Sequence, residues 1–220
     1  MSVDHEAPGG RWNGLFVLAD DDPRWKARPV EQARAACAAG ARVVQLRAKY
    51  ATDREALRWA AEIRALTRDA GVSFFVNDRF DLALAANADG VHLGQDDLHP
   101  ADLPPAVREQ LLVGRSTHTL EQVYAASEEA VDYLAFGPVF GTHSKESPYT
   151  PRGLPLLREA VQAAAPLPLV AIGGIDTKNA ADVAATGAIG AAVISAVANA
   201  DDSEQAVGEL VAAFTRAQRR

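Results

Sequence analysis

The chain has a single cysteine, Cys37, which excludes an internal disulfide framework and a cysteine-rich metal site. Cys37 lies in a helix-like, alanine-rich stretch, so we expect it to behave as a small apolar residue in the core. No run of about 18 apolar residues occurs, so no membrane-spanning helix is predicted. Basic residues form no run and the net charge is −7, so the surface should repel nucleic acid. These absences predict a cytoplasmic protein that binds neither nucleic acid nor membranes.

Other signals are also missing. The first dozen residues have neither a positive start nor an apolar centre, so residues 1–12 are predicted to be a disordered tail, not a signal peptide. No Pro/Ser-rich linker and no low-complexity segment interrupts the rest, and residues 13–220 are predicted to form one domain. No Ser-His-Asp arrangement can be argued, and no pair among the five histidines has metal-ligand spacing.

Short apolar runs alternate with amphipathic, alanine-rich stretches along the whole domain. The predicted strands are residues 15–18, 43–46, 73–77, 90–93, 111–114, 133–136, 169–172 and 191–194. The predicted helices include residues 29–39, 53–69, 154–164 and 203–217. Thr52 and Glu55 form a capping-box pattern, and Asp176 and Ser203 are expected to open helices. Eight such units predict an α/β fold, a (β/α)₈ TIM barrel.

An open, doubly wound sheet is the alternative, since the same alternation permits it. The count of eight strands favours the barrel, as does the absence of Gly-x-Gly-x-x-Gly after the first strand.

The second predicted strand carries an unusual polar face. Gln45, Arg47 and Lys49 alternate with apolar residues, so in an extended segment they leave the same side of the chain. Long polar groups on a buried face are costly unless an oppositely charged partner meets them. The pattern therefore predicts a site for phosphate or carboxylate.

Further polar residues follow the other strands, where a barrel places its active site. Asp78 and an acidic residue of the segment Gln95-Asp96-Asp97 follow neighbouring strands and together can bind one Mg²⁺; alternatively, Asp78 caps a helix and Asp97 is a solvated loop residue. His118 ends a strand and can face the pocket, whereas His92 lies inside a strand and is expected to be a hydrogen-bonded structural residue.

A second anion site is predicted after the seventh and eighth strands. Gly173, Gly174 and the segment 190–195 suit a cradle of backbone N–H groups because of their place in the register of eight units, whereas a glycine pair by itself could be an ordinary tight turn. Thr142, Ser144 and Lys145 form a polar loop that suits phosphate, or else is simply solvated. Two anion sites predict two phosphorylated substrates, whose identity the spacing does not reveal.

The sequence resembles the thiamine-phosphate synthase family, also called thiamin phosphate pyrophosphorylases, from about residue 14 to about residue 214. The segments that carry the resemblance occur in the family's order: Gln45-Leu46-Arg47-Ala48-Lys49, Val76-Asn77-Asp78, Gly90-Val91-His92-Leu93-Gly94-Gln95-Asp96-Asp97, Gly114-Arg115-Ser116-Thr117-His118-Thr119, the run from Phe136-Gly137-Pro138 to Ser144-Lys145, and Ala171-Ile172-Gly173-Gly174-Ile175.

The resemblance implies a (β/α)₈ transferase that joins 4-amino-2-methyl-5-hydroxymethylpyrimidine diphosphate to 4-methyl-5-(2-phosphoethyl)thiazole, giving thiamine phosphate and diphosphate. It implies a dissociative, Mg²⁺-assisted substitution through a pyrimidine carbocation. The implied binding residues for the pyrimidine diphosphate are Gln45, Arg47, Lys49, Asn77, Ser116 and Lys145, of which Arg47, Lys49, Ser116 and Lys145 are the catalytic set. Those for the thiazole phosphate are Thr142, Ser144, Gly174, Ile194 and Ser195. The implied Mg²⁺ ligands are Asp78 and Asp97. A homo-oligomer is also allowed.

Two residues depart from the family pattern. Ala48 replaces the usual Glu, but it faces away from the polar side of its strand, so we expect only a loss of packing or of a supporting contact. Gly141 replaces the usual Pro and should loosen its loop. The alternatives are a thiazole tautomerase on the same barrel and a non-catalytic barrel that binds phosphorylated metabolites; neither explains the full set of cationic and acidic residues.

Overall fold

Eight parallel strands, each buried and rich in apolar residues, close into a barrel in the computed structural model, which describes residues 12–142, 144 and 148–218. The strands are β1 (Gly14–Asp20), β2 (Val43–Arg47), β3 (Ser73–Asn77), β4 (Gly90–Leu93), β5 (Leu112–Thr117), β6 (Tyr133–Phe136), β7 (Leu169–Ile172) and β8 (Gly190–Val193). They pair in chain order, and β8 pairs with β1. The predicted TIM barrel is confirmed, because an open sheet would leave two strands unpaired at its edges.

Helices connect the strands on the outside. They are α1 (Pro29–Ala38), α2 (Asp53–Ala70), α3 (Phe80–Ala85), α4 (Pro105–Arg108), α5 (Leu120–Ser127), α6 (Gly153–Ala164), α7 (Ala180–Ala184), α8 (Ser195–Ala198) and α9 (Ser203–Gln218), with a 3₁₀ turn at Pro100–Asp102. The predicted capping box of α2 is confirmed: Thr52 Oγ1 accepts from Glu55 N at 3.3 Å, and Glu55 Oε2 accepts from Thr52 N at 3.1 Å. None of the helices within the described ranges is both long and apolar enough to cross a membrane.

The predicted start of α7 is wrong. The helix begins at Ala180, with Asn179 at its N-cap, not at Asp176. The Asp176 carboxylate instead accepts from Lys178 N at 2.8 Å, and the Asn179 side chain accepts from Asp176 N at 2.9 Å. The Asp176 side chain therefore forms a turn by accepting from a backbone N–H two residues later, as Asp and Asn side chains often do.

Two apolar layers result from the alternation along each strand. The outer layer lies between strands and helices. Cys37 packs against it, as predicted, but is only partly buried. Burial raises the pKa of the Cys37 thiol to about 11. The inner layer fills the barrel and includes Phe16, Val43, Phe75 and Tyr133.

The position of Trp12 changes the predicted boundary between the tail, residues 1–12, and the domain. Trp12 belongs to the inner layer, is only 8% exposed, and packs edge-to-face on Phe75 with ring centroids 6.0 Å apart. A large aromatic ring gains more by filling the barrel than by staying in water. The packed domain thus includes Trp12, whereas residues 1–11 of the predicted tail lie outside the described part.

Candidate active site

A cavity of about 450 Å³ opens at the carboxyl ends of the strands. This is the end at which TIM barrels place their active sites. The predicted site residues that line it are Arg47, Lys49, Asn77, Asp78, Asp97, Ser116, Thr142, Ser144, Gly174, Ile194 and Ser195. His118 lines it as well, so the expectation that His118 faces the pocket is confirmed. The structure thus brings together side chains that are up to 148 positions apart in the chain.

Two predicted site residues are not among those that line the cavity. Gln45 is 3% exposed and is not among the lining residues, so it lies deeper than Arg47 on the same inner face of β2. Its Oε1 accepts no hydrogen bond from any described residue. Alternation along a strand gives the face of a side chain but not its depth, since inward side chains of a barrel stack in layers. Lys145 lies outside the described residues.

The cationic side chains of the second strand are each paired with a carboxylate. Arg47 is largely buried, and its Nη1 lies 2.5 Å from Asp20 Oδ2 at the end of β1. Lys49 follows β2 and forms an ion pair with Asp78. Ala48, between them, packs on the outer layer, so its predicted direction is confirmed. Arg47 and Lys49 both line the cavity, each beside a carboxylate.

The two predicted metal ligands touch. Asp78 has a left-handed backbone, with φ +65°, and its N–H donates to His92 O at 2.7 Å. Asp97 Oδ2 accepts from Gly94 N at 2.6 Å. Burial, and then a hydrogen bond and charge repulsion from Asp78, raise the pKa of Asp97 above its usual value, while Lys49 opposes the shift. The shift thus comes first from burial and then from the neighbouring Asp78, and positive charge between the two carboxylates would lower the pKa again.

A divalent cation would supply that charge. Among the residues that the structure describes, no three His, Cys, Asp or Glu side chains come together as a metal cluster. A pair of carboxylates nevertheless suits Mg²⁺, which usually takes one or two of them and completes its shell with water and phosphate oxygens. The residues present therefore fit Mg²⁺ together with an anionic substrate, and fit poorly a metal that needs an all-protein cage.

Ser116 is held by the polar part of the barrel interior. His92 contacts Tyr133 Oη through Nδ1 and Ser116 Oγ through Nε2, each at 2.8 Å. Burial, and secondarily the charge of Asp132, raise the pKa of Tyr133, so its phenol stays protonated. In its neutral form an imidazole donates from one nitrogen and accepts at the other, so Tyr133 and Ser116 would then take opposite roles toward His92. The structural role predicted for His92 is confirmed, and it fixes a predicted site residue.

The glycine site lies across the cavity. Gly173 and Gly174 have φ of +103° and +64°, and a Cβ on Gly174 would lie 2.5 Å from Gly141 O. The Asn179 side chain donates to Gly174 O at 2.9 Å and fixes the turn. The segment after β6 runs beside it, with Phe140 N donating to Gly173 O at 2.9 Å. This exposes backbone to the cavity without side chains in the way.

Sequence reasoning missed three contributors. Tyr149 lines the cavity and stacks on His118 with ring centroids 4.2 Å apart, and no local pattern marks it. Asp20 ends β1, Asp21 follows it, and both contact the segment that carries Arg47 and Lys49. The rule that polar residues at strand ends mark the site would have found both aspartates, had it been applied to the first strand.

Comparison with known proteins identifies the family. The sequence model of the thiamine monophosphate synthase family matches residues 15–197. The chain belongs to this family. It is 47% identical to the thiamine-phosphate synthase of Anaeromyxobacter dehalogenans, over 93% of this chain and 89% of that protein. It is 46% identical to that of Chloroflexus aurantiacus, over 84% of this chain and 85% of that protein.

A solved structure of the thiamine monophosphate synthase family matches the fold. The thiamine phosphate pyrophosphorylase from Pyrococcus furiosus superposes with a TM-score of 0.83 at 38% identity, covering 94% of this chain and 97% of that one. The predicted family, barrel and activity are confirmed: the chain is a thiamine-phosphate synthase, a transferase that acts on small molecules.

Proposed function

We propose that the cavity binds the diphosphate of 4-amino-2-methyl-5-hydroxymethylpyrimidine diphosphate at the wall formed by Arg47, Lys49, Asn77 and Ser116. The observation that carries this proposal is the cluster of Lys49, Asp78 and Asp97 beside Arg47. Two cationic side chains and two touching carboxylates on one wall suit an anion that arrives with a divalent cation.

Asp78 and Asp97 would hold Mg²⁺ in this proposal. The ion, when bound, neutralises charge on the diphosphate and makes it a better leaving group. Lys49 is then free to turn from Asp78 toward the phosphate oxygens, because its ion pair is half-exposed and weak. Lys145 remains a predicted fifth contact for the diphosphate.

The pyrimidine ring would lie inward from the diphosphate, toward Gln45. A buried amide oxygen without a partner costs free energy until a donor meets it. The 4-amino group of the pyrimidine is such a donor. This places the ring's methylene carbon between the diphosphate wall and the glycine site.

The thiazole phosphate would occupy the opposite wall, made by Thr142, Ser144, Gly174, Ile194 and Ser195. Backbone N–H groups at Gly174 and at the start of α8 can approach phosphate closely because glycine and a helix start leave them accessible. The thiazole nitrogen then faces the methylene carbon of the first substrate.

The bond changes balance without a general base. The C–O bond between the methylene carbon and the diphosphate breaks, and its electron pair leaves with the diphosphate. The lone pair of the thiazole nitrogen forms the new C–N bond, and that nitrogen carries no proton to remove. The chain's residues therefore bind the leaving group and hold the two substrates in line.

An assay of diphosphate release tests the proposal. The purified chain with both substrates and Mg²⁺ is expected to release diphosphate and to form thiamine phosphate in equal amounts, measured by a coupled phosphate assay and by mass spectrometry. Adding EDTA should abolish release, because two carboxylates alone leave the diphosphate charge uncompensated. Full product formation in EDTA would remove the metal assignment, and absence of product at high enzyme concentration would remove the reaction.

Gly174→Ala tests the thiazole site. A methyl group there would press on Gly141 O and on Phe140 Cβ, 2.5 and 2.8 Å away. We expect KM for the thiazole phosphate to rise about tenfold or more, with KM for the pyrimidine diphosphate nearly unchanged. Gly40→Ala is the control, because Gly40 also has a positive φ but no atom lies within 4 Å of its Cβ position. Equal changes in the two KM values of Gly174→Ala would contradict the assignment.

We propose that the protein works in the cytoplasm, since its substrates are phosphorylated metabolites, and that any partner subunit is a second copy of the chain. Size-exclusion chromatography with light scattering measures the second point directly.

A further inference from the structure

Asp21 is a buried carboxylate that the proposed reaction does not use. It is 6% exposed and follows Asp20 where β1 ends. Its Oδ1 accepts from Lys49 N at 2.8 Å, and its Oδ2 accepts from Tyr50 N at 2.9 Å and from Ala51 N at 2.7 Å. One side chain thus binds three consecutive backbone amides in the loop after β2.

The loop that Asp21 holds is the one that carries Lys49. Hydrogen bonds from amides to a carboxylate are stronger than those between neutral groups. The Lys49 side chain is 45% exposed and has four rotatable bonds, so its position depends on where its backbone is fixed. Without the carboxylate, three adjacent N–H groups would need other partners, and the loop would shift.

Asp20 acts in the same way on the other cation. It is fully buried and lies opposite Arg47 in the register of β1 and β2. Its Oδ2 contacts Arg47 Nη1, while its Oδ1 accepts from Trp25 Nε1 at 2.6 Å and from Asp22 N at 3.0 Å. Asp20 is therefore fixed on two sides and can orient the guanidinium.

We propose that Asp21 is a positioning residue for catalysis, which sets Lys49 at the diphosphate by holding residues 49–51, while Asp20 orients Arg47. This inference rests on the proposed function, in which Lys49 and Arg47 bind the diphosphate. It assigns a role to the end of β1, whose residues Asp20 and Asp21 do not themselves line the cavity.

Asp89 provides a matched control. It also accepts from a backbone amide, Phe74 N at 2.7 Å, and also pairs with an arginine, Arg64 at 2.9 Å. It acts at the beginning of β3, at the end of the barrel away from the cavity. Asp89→Asn should therefore change stability without changing the active site.

A double-mutant cycle of Asp21→Asn and Lys49→Met tests the proposal, with kcat and KM for each substrate and Tm as readouts. We expect Asp21→Asn to lower kcat/KM for the pyrimidine diphosphate about 10- to 100-fold, since small displacements of a binding group are costly. KM for the thiazole phosphate should stay within about twofold. In the Lys49→Met protein, Asp21→Asn should lower the same kcat/KM less than about threefold, because the effects of coupled residues are not additive.

The outcomes separate the two hypotheses. If Lys49→Met alone leaves kcat/KM unchanged, the proposed role of Lys49 is wrong. If Lys49→Met lowers kcat/KM, the positioning role of Asp21 is overturned by either of two results. One is that Asp21→Asn leaves kcat/KM unchanged; the other is that it lowers kcat/KM by the same factor in the Lys49→Met protein as in the unmodified protein. If Asp89→Asn lowers kcat/KM as strongly as Asp21→Asn, the effect is one of stability, which also overturns it. If Asp21→Asn does not fold, Asp21→Ser, which keeps one hydrogen-bond acceptor, replaces it in the double-mutant cycle with Lys49→Met.

Discussion

Asp78→Asn is expected to lower the rate of diphosphate release at least about 100-fold, because it removes one of the two carboxylates that can hold Mg²⁺. The fold should survive, since asparagine, like aspartate, tolerates the left-handed backbone found at Asp78. The lost ion pair with Lys49 is half-exposed and contributes little to stability. Steady-state kinetics over a Mg²⁺ titration, with a thermal melt of each protein, measures both effects.

Asp81→Asn is the matched control for that change. Asp81 lies in the first turn of α3, three residues after Asp78, and its exposed carboxylate pairs with Arg79 outside the cavity. Its activity should stay within about twofold of the unmodified protein, since an exposed ion pair contributes little. The metal assignment is wrong if Asp78→Asn retains ordinary activity with an ordinary Mg²⁺ dependence.

Gly114→Ala is expected to lower the free energy of unfolding by about 3 kcal/mol or more. A Cβ at this position would lie 2.2 Å from Tyr133 Cζ and 2.5 Å from His92 Nδ1. Both rings are inside the closed barrel and have little room to move. Because His92 holds Ser116, diphosphate release should fall as well. Denaturant unfolding followed by tryptophan fluorescence measures the stability, and the diphosphate assay measures the activity.

Gly208→Ala should have the opposite effect on stability. Gly208 lies inside α9, and the nearest atom to its Cβ position is Ala39 Cβ at 4.0 Å. Alanine in a helix interior stabilises by about 0.5–1 kcal/mol over glycine. The prediction for Gly114→Ala is wrong if its free energy of unfolding lies within about 1 kcal/mol of that of the unmodified protein. The barrel interior would then relax more than close packing allows.

Most of the barrel was predictable, because continuous apolar runs fix where buried strands lie and polar residues mark their ends. Residues far apart in sequence, such as Asp78 and Ser195, could be assigned to one cavity because all parallel strands share one carboxyl edge. Family resemblance, not periodicity, assigned the individual substrate contacts.

Other features depend on packing that no local pattern shows. The depth of Gln45 follows from how the strands tilt and stagger, not from its place in β2. The burial of Trp12 follows from space at the amino end of the barrel, which a single tryptophan outside any periodic run does not reveal. The pairing of Tyr149 with His118 brings a loop residue onto a strand end 31 positions earlier.

The single thiol of this chain, Cys37, can serve as a labelling probe for unfolding. Burial raises the pKa of the Cys37 thiol to about 11, so little reactive thiolate is present at neutral pH while α1 stays packed. Alkylation is therefore expected to be faster once that contact opens, and a single mass increment per chain records it. Each variant can then be ranked by labelling rate, whether or not it still turns over substrate.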